Sequence, residues 1–159
     1  MPADALATDP LAVEAQLCLA VSAAARALVS LYRPLLEPLG LTHPQYLAML
    51  ALWQHGELSL KQLASHLELE PATTSPLVKR LEALGLVTRG RGSADERLLV
   101  ITLTDRGRAM REDAVGIPSA MLDDLQMTRE TLDGIRASVD LLLTASKRAT
   151  SSTAESAAR

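Results

Sequence analysis

Apolar and polar positions along this chain alternate mostly with a helical period, and glycine or proline marks the breaks. A first stripe runs from about Leu11 toward Leu31, introduced by Asp9-Pro10 as an N-cap followed by proline at the first helical position. Tyr32-Arg33-Pro34 is expected to kink or break it, because Pro34 lacks an amide and restricts its predecessor. Gly40 reads as a stop. Thr42-His43-Pro44 opens a second helix through Tyr46, Leu50 and Trp53, ending near His55-Gly56. Ser59 caps a short third helix, Leu60 to Leu67, whose stripe is Leu60, Leu63, Ala64 and Leu67. Glu70-Pro71 opens a fourth through Leu77, Leu81 and Leu84, with Gly85 as its stop.

After Gly85 the period changes. Leu86-Val87-Thr88-Arg89 reads as a short strand, Gly90 to Glu96 as a polar turn, and Leu98 to Leu103 as a second, partly β-branched strand. Together they predict a β-hairpin with a charged tip. Thr104-Asp105 caps a long helix from Arg106, bent at Gly116 and Pro118, and Thr128-Arg129-Glu130 begins a last helix through Leu141-Leu142-Leu143. The Ser/Ala-rich end, 149–159, is expected to be a disordered tail. The predicted fold is a single, mainly α domain with a small β-hairpin wing. A winged helix-turn-helix lobe spans 42–104, flanked by helices in 9–40 and 106–148.

Composition supports a folded core, with 48% hydrophobic and 22% charged residues in 159. Only Trp53, Tyr32 and Tyr46 are aromatic, so Leu, Val, Ala and Met must fill the core. No apolar run was expected to reach the roughly 20 residues that span a bilayer. Met1-Pro2-Ala3-Asp4 lacks a secretion-signal pattern, and a lone cysteine fits a reducing compartment, so a cytoplasmic location is expected. His55 and His66, with no second cysteine and no acid at ligand spacing, do not make a metal site, and no cofactor is implied.

The net charge of −3 argues against nucleic acid until its distribution is considered. Between Lys79 and Arg108 seven basic residues face four acids, a local +3 that leaves −6 for the rest. The fourth helix starts with Pro71, Ala72, Thr73, Thr74 and Ser75, small or hydroxylated residues that let a helix start approach bases and phosphates. Lys79 and Arg80 follow, and Arg89, Arg91 and Arg97 are expected at the hairpin tip, suited to backbone or minor-groove contact. Short helix, turn, second helix and basic hairpin together predict double-stranded DNA as the partner.

These residues resemble the MarR family of transcription regulators. The resemblance rests on Val78-Lys79-Arg80-Leu81-Glu82-Ala83-Leu84-Gly85-Leu86-Val87-Thr88-Arg89, on Asp95-Glu96-Arg97, and on Leu103-Thr104-Asp105-Arg106-Gly107. Leu17-Cys18-Leu19, Tyr32-Arg33-Pro34-Leu35-Leu36 and Leu41-Thr42-His43-Pro44-Gln45-Tyr46-Leu47 are similar to its organic-hydroperoxide resistance branch, OhrR. The resemblance implies a homodimeric repressor, with 9–40 and 106–148 as its dimerisation helices, that binds an inverted-repeat operator and is released when Cys18 is oxidised. It further implies that Tyr32 supports the thiol from the other subunit, that Arg97 reaches the minor groove, and that Asp95 steadies the wing. Ser22 and His43 stand where the branch often has tyrosines, and both remain candidate supports for the thiol.

Two observations on the residues bear on that picture. Cys18, Ser22, Ala25, Val29 and Tyr32 share one helical stripe, yet Tyr32 lies about 21 Å along a continuous helix from Cys18. A Cys18–Tyr32 contact therefore needs a second chain. With one cysteine, a sulfenic acid formed by a hydroperoxide must condense with a low-molecular-weight thiol, form a sulfenamide or over-oxidise. A repressor released by a small aromatic ligand, with Cys18 merely packed, is the alternative. A thiol peroxidase is a further one, disfavoured because turnover needs a resolving thiol and a built peroxide pocket.

Overall fold

The computed structural model describes residues 11–13, 16–92 and 99–157, with side chains to Ser151. Helix α1, Leu17–Leu36, starts six residues later than the apolar stripe predicts and runs through Pro34 without breaking. Pro34 lies in the last turn, so its missing amide leaves only one ladder bond unmade near an end that is already closing. A 3-10 turn, Glu37–Leu39, and left-handed Gly40 end it, with the Leu41 amide donating back to the Leu36 carbonyl. The Asp9-Pro10 cap lies outside the described residues.

Helix α2, His43–His55, begins with a capping box in which Thr42 and Gln45 satisfy each other's backbone donors. A two-residue strand β1, Leu58–Ser59, leads into α3, Leu60–His66, where Ser59 and Gln62 form a second capping box. The turn to α4, Pro71–Ala83, passes through left-handed Glu68, and the Leu69 amide closes onto the Ala64 carbonyl. Left-handed Gly85 ends α4 the same way, with the Leu86 amide on the Leu81 carbonyl.

Strands β2, Val87–Arg91, and β3, Leu99–Leu103, form the hairpin, and β1 adds to β3 as a third strand, giving the antiparallel order β1-β3-β2. In this register Arg89 lies opposite Ile101 and Leu58 opposite Ile101 on the other side. Sequence periodicity missed β1 because two residues carry no alternation to read. The core of this lobe joins Tyr46, Met49 and Leu52 of α2 to Leu63, Leu81 and Ile101.

Helix α5, Asp105–Ala114, is capped by the Thr104 hydroxyl, which accepts from the Gly107 amide at 3.0 Å. It belongs with α1–α4 and the sheet to one compact unit, Met1–Ile117. The second unit, Pro118–Arg159, holds α7, Arg129–Ala157, and most of α6, Ile117–Leu125. Between them the chain turns at left-handed Gln126, and Thr128 caps α7 through the Thr131 amide. Contrary to the expected tail, α7 continues through Ala157. Alanines favour helix, and the Thr150 and Ser151 hydroxyls bond to carbonyls one turn back rather than competing for the amides.

The stretch Leu17–Leu39 is, by length and composition, long and apolar enough to cross a bilayer. Its apolar residues occur on all faces rather than as one run, and only Leu36 of α1 is buried.

Candidate DNA interface and thiol site

Helix α4 presents two faces of different character. Thr74, Val78 and Leu81 point inward at helical spacing and are buried. Pro71, Ala72 and Thr73 at its start, and Lys79 and Arg80 farther on, are exposed, with Ser75 at the margin. Thr74 is therefore not a DNA contact: it is fully buried, and its hydroxyl donates to the Glu70 carbonyl at 3.0 Å. The run of small hydroxylated residues concealed this because a helix must turn every third or fourth residue inward.

The hairpin needs a second correction. Arg89 lies inside β2, not at the tip, and its guanidinium pairs with Glu82 of α4 at 3.2 Å. Its side chain is three-quarters covered, so it ties the wing's first strand to the recognition helix instead of standing ready for a phosphate. Arg91 is exposed at the end of β2. Asp95 and Arg97 lie outside the described residues.

The recognition helix is held at its C-terminal end by the start of α5. Thr104 donates from its hydroxyl to the Gly85 carbonyl at 2.7 Å and from its amide to the Leu86 carbonyl at 3.0 Å. The Arg106 guanidinium donates to the Leu84 carbonyl at 2.9 Å. Gly107 lets α5 approach so closely that a Cβ there would collide with the Leu86 carbonyl oxygen. The motif from Leu103 to Gly107 thus acts as a clamp on the exit of α4.

The thiol region is open in the single chain. Cys18 and Ser22 are both exposed on α1. Tyr32 lies at the other end of the same unbroken helix, too far for contact with its own chain's Cys18. Tyr32 is half-buried against His43, with ring centroids 4.8 Å apart, and against Tyr46 at 5.8 Å. Burial holds the His43 imidazole below the ordinary histidine value. The lowered value favours the neutral ring, which offers one N–H as a donor. Burial raises the Tyr32 and Tyr46 phenols, and for Tyr46 the neighbouring Tyr32 adds to the effect, so both keep their protons as donors. The sequence did not single out Tyr46 as part of this cluster; its spacing of three from His43 was the available signal.

His55 and His66 stack with centroids 4.3 Å apart, and among the described residues no group of three or more ligating side chains could hold a metal ion.

An exposed, basic-faced helix in a helix-turn-helix beside a β-hairpin defines a winged-helix DNA-binding protein. The chain belongs to the MarR family, whose model matches residues 41–99. It is 39% identical over 135 residues to the organic hydroperoxide resistance transcriptional regulator of Bacillus subtilis, covering 85% of this chain and 92% of that protein. It is 46% identical over 134 residues to the HTH-type transcriptional regulator TtmR of Methylorubrum extorquens, covering 84% of this chain and 67% of that one. Among solved structures it is similar to reduced AbfR bound to DNA, a Staphylococcus epidermidis protein. That match has a TM-score of 0.68 and 30% identity, and covers 83% of this chain and 92% of AbfR.

Proposed function

We propose that this protein is a cytoplasmic, homodimeric repressor that releases its operator when an organic hydroperoxide oxidises Cys18. The observation that carries the reading is an exposed thiol on a helix whose apolar faces are bare in one chain, with the Tyr32–His43–Tyr46 cluster at the opposite end. Two copies of α1 laid antiparallel bring the cysteine of one beside the tyrosine of the other. They also cover Leu28 and Val29, which are 38% and 43% exposed. AbfR has been solved reduced on DNA and in a disulfide-formed state, and this chain's likeness to it supports a redox signal.

Chemically, the Cys18 thiolate attacks one peroxide oxygen, the O–O bond breaks, and the alkoxide leaves and takes up a proton as the alcohol. Sulfur is left as a sulfenic acid. A low-molecular-weight thiol then condenses with it, forming a mixed disulfide and releasing water. The phenol of the partner's Tyr32 donates a hydrogen bond to the sulfur, and neutral His43 holds that ring from behind. The added bulk separates the α1 helices, and with them the spacing of two recognition helices that must match half-sites about one DNA turn apart. Exposed Pro71, Ala72, Thr73 and Ser75 enter the major groove. Lys79, Arg80 and Arg91 hold phosphates, and Arg97 with Asp95 serves the wing. The oxidant is consumed once per switch, so the protein is a sensor rather than a peroxidase.

The test is fluorescence-anisotropy binding to DNA upstream of its own gene at stated salt. Reduced protein is compared with protein given one equivalent of an organic hydroperoxide plus a small thiol, beside Cys18→Ser. Loss of binding in the wild type alone is expected; equal binding in all samples sinks the redox reading.

One observation favours a second reading. A cleft of about 510 Å³ is lined by Leu52, Trp53, Gly56, Glu57, Thr102, Leu103, Arg108 and Arg111. Its apolar walls and the Arg111 guanidinium suit a small aromatic carboxylate, while Arg108 is paired with Asp105 and bonded to the Leu103 carbonyl. Under that reading Cys18→Ser leaves release by the ligand intact.

A further inference from the structure

We propose that Trp53 is the positioning residue that couples the Tyr32 end of the thiol site to the recognition helix, through its hydrogen bond to Gly107; this rests on the redox-sensor reading above. His43, Tyr46 and Trp53 lie three and seven residues apart, on one face of α2. Tyr32 touches the first two rings, at 4.8 and 5.8 Å, and Tyr46 meets Trp53 edge-on at 6.5 Å. From the far end of that row the Trp53 indole Nε1–H donates to the Gly107 carbonyl oxygen at 2.8 Å. Gly107 is the residue whose bare Cα seats α5 on Leu86.

Tyr46 is 2% exposed, so when Tyr32 presses on it that ring has no void to enter. The far end reaches the first turn of α5, the same turn that holds the carbonyls of Leu84, Gly85 and Leu86 at the exit of α4. Packing alone could transmit a push; the indole N–H makes the row directional, since it fixes where α5 sits relative to α2. Trp53 touches neither the thiol nor the exposed face of α4, so its effect is on the link and not on either end.

The experiment measures operator Kd, reduced and oxidised, for wild type and Trp53→Phe, and takes the ratio as the oxidation response. Trp53→Phe keeps a ring and loses the donor. The expected result is a reduced-state Kd within about threefold of wild type and an oxidation response smaller by about tenfold or more. A response within about threefold of wild type overturns the proposal. If Trp53→Phe does not fold, benzothienylalanine at position 53 keeps the indole outline with sulfur in place of the N–H, and the same two outcomes apply. Should wild type show no oxidation response, the redox reading fails and the link is judged separately in reduced protein. There, Tyr32→Ala must change Kd by factors that differ by more than about threefold between wild-type and Trp53→Phe backgrounds. Equal factors overturn the link.

Discussion

Helices α4 and α1 expose much of their surface, but for opposite reasons. In α4 the inward stripe Thr74, Val78 and Leu81 is buried, and the exposed positions include Lys79, Arg80 and Glu82. Its exit is closed by Gly85 and clamped by Thr104 and Arg106. In α1 only Leu36 is buried, and the exposed residues include Leu17, Leu19, Val21, Leu28 and Val29. A one-sided helix is completed by its own chain; a helix apolar all round needs more neighbours than one lobe supplies. The contrast separates a helix completed by its own chain from one whose apolar residues its own chain leaves exposed, which the proposed dimer would cover.

That contrast can be broken from either side. Gly107→Ala strikes the lobe, since its methyl meets a backbone carbonyl that cannot rotate away. The expected loss is about 3 kcal/mol or more, read as a lower urea midpoint. An unchanged midpoint would show that the close approach of α5 to Leu86 is not needed. Leu28→Glu strikes α1 instead, placing a charge where the proposed dimer buries a side chain at a cost of about 2–3 kcal/mol. Sedimentation should show dissociation to monomer while circular dichroism keeps the helical signal; a dimer of undiminished stability would remove α1 from the interface.

Smaller changes sharpen the comparison. Arg80→Ala removes an exposed cation from α4 and should weaken operator binding by about 1 kcal/mol, lowering the salt slope by about one. An unaltered slope would mean that Arg80 meets no phosphate. The smallest effect concerns His43, whose folded pKa lies below its unfolded value of 6.5. Below that value the unfolded chain binds more protons, so stability falls as the pH drops and levels off below the folded pKa. Denaturant unfolding between pH 8 and pH 5 should show a shallower decline in His43→Phe than in wild type. Identical slopes would place His43 in water.

Much of the lobe was legible because its signals are local. Ser59 with Gln62, Thr42 with Gln45, Thr104 and Gly85 close helix ends within a few residues, so reading them requires no knowledge of what lies across the core. Pro34 and the residues from 149 misled for the converse reason. Proline is costly in mid-helix yet tolerated in a closing turn, and a polar, alanine-rich end can propagate a helix already begun. The candidate site was legible in part. Residue type marked Lys79, Arg80 and the single thiol of Cys18, whereas Tyr32 came only from the family resemblance.

The sequence by itself determined the helix-turn-helix order, the basic balance from Lys79 to Arg108, and the single thiol, since these depend on residue identity and near-neighbour spacing. Only the tertiary structure decided that Thr74 faces inward and that Arg89 is spent on Glu82. It likewise decided that His43 is neutral beside Tyr32 and that Trp53 reaches Gly107 across 54 positions of chain. Those outcomes depend on which elements pack together, and burial, ion pairing and hydrogen-bond partners exist only once residues distant in sequence are brought within a few ångströms.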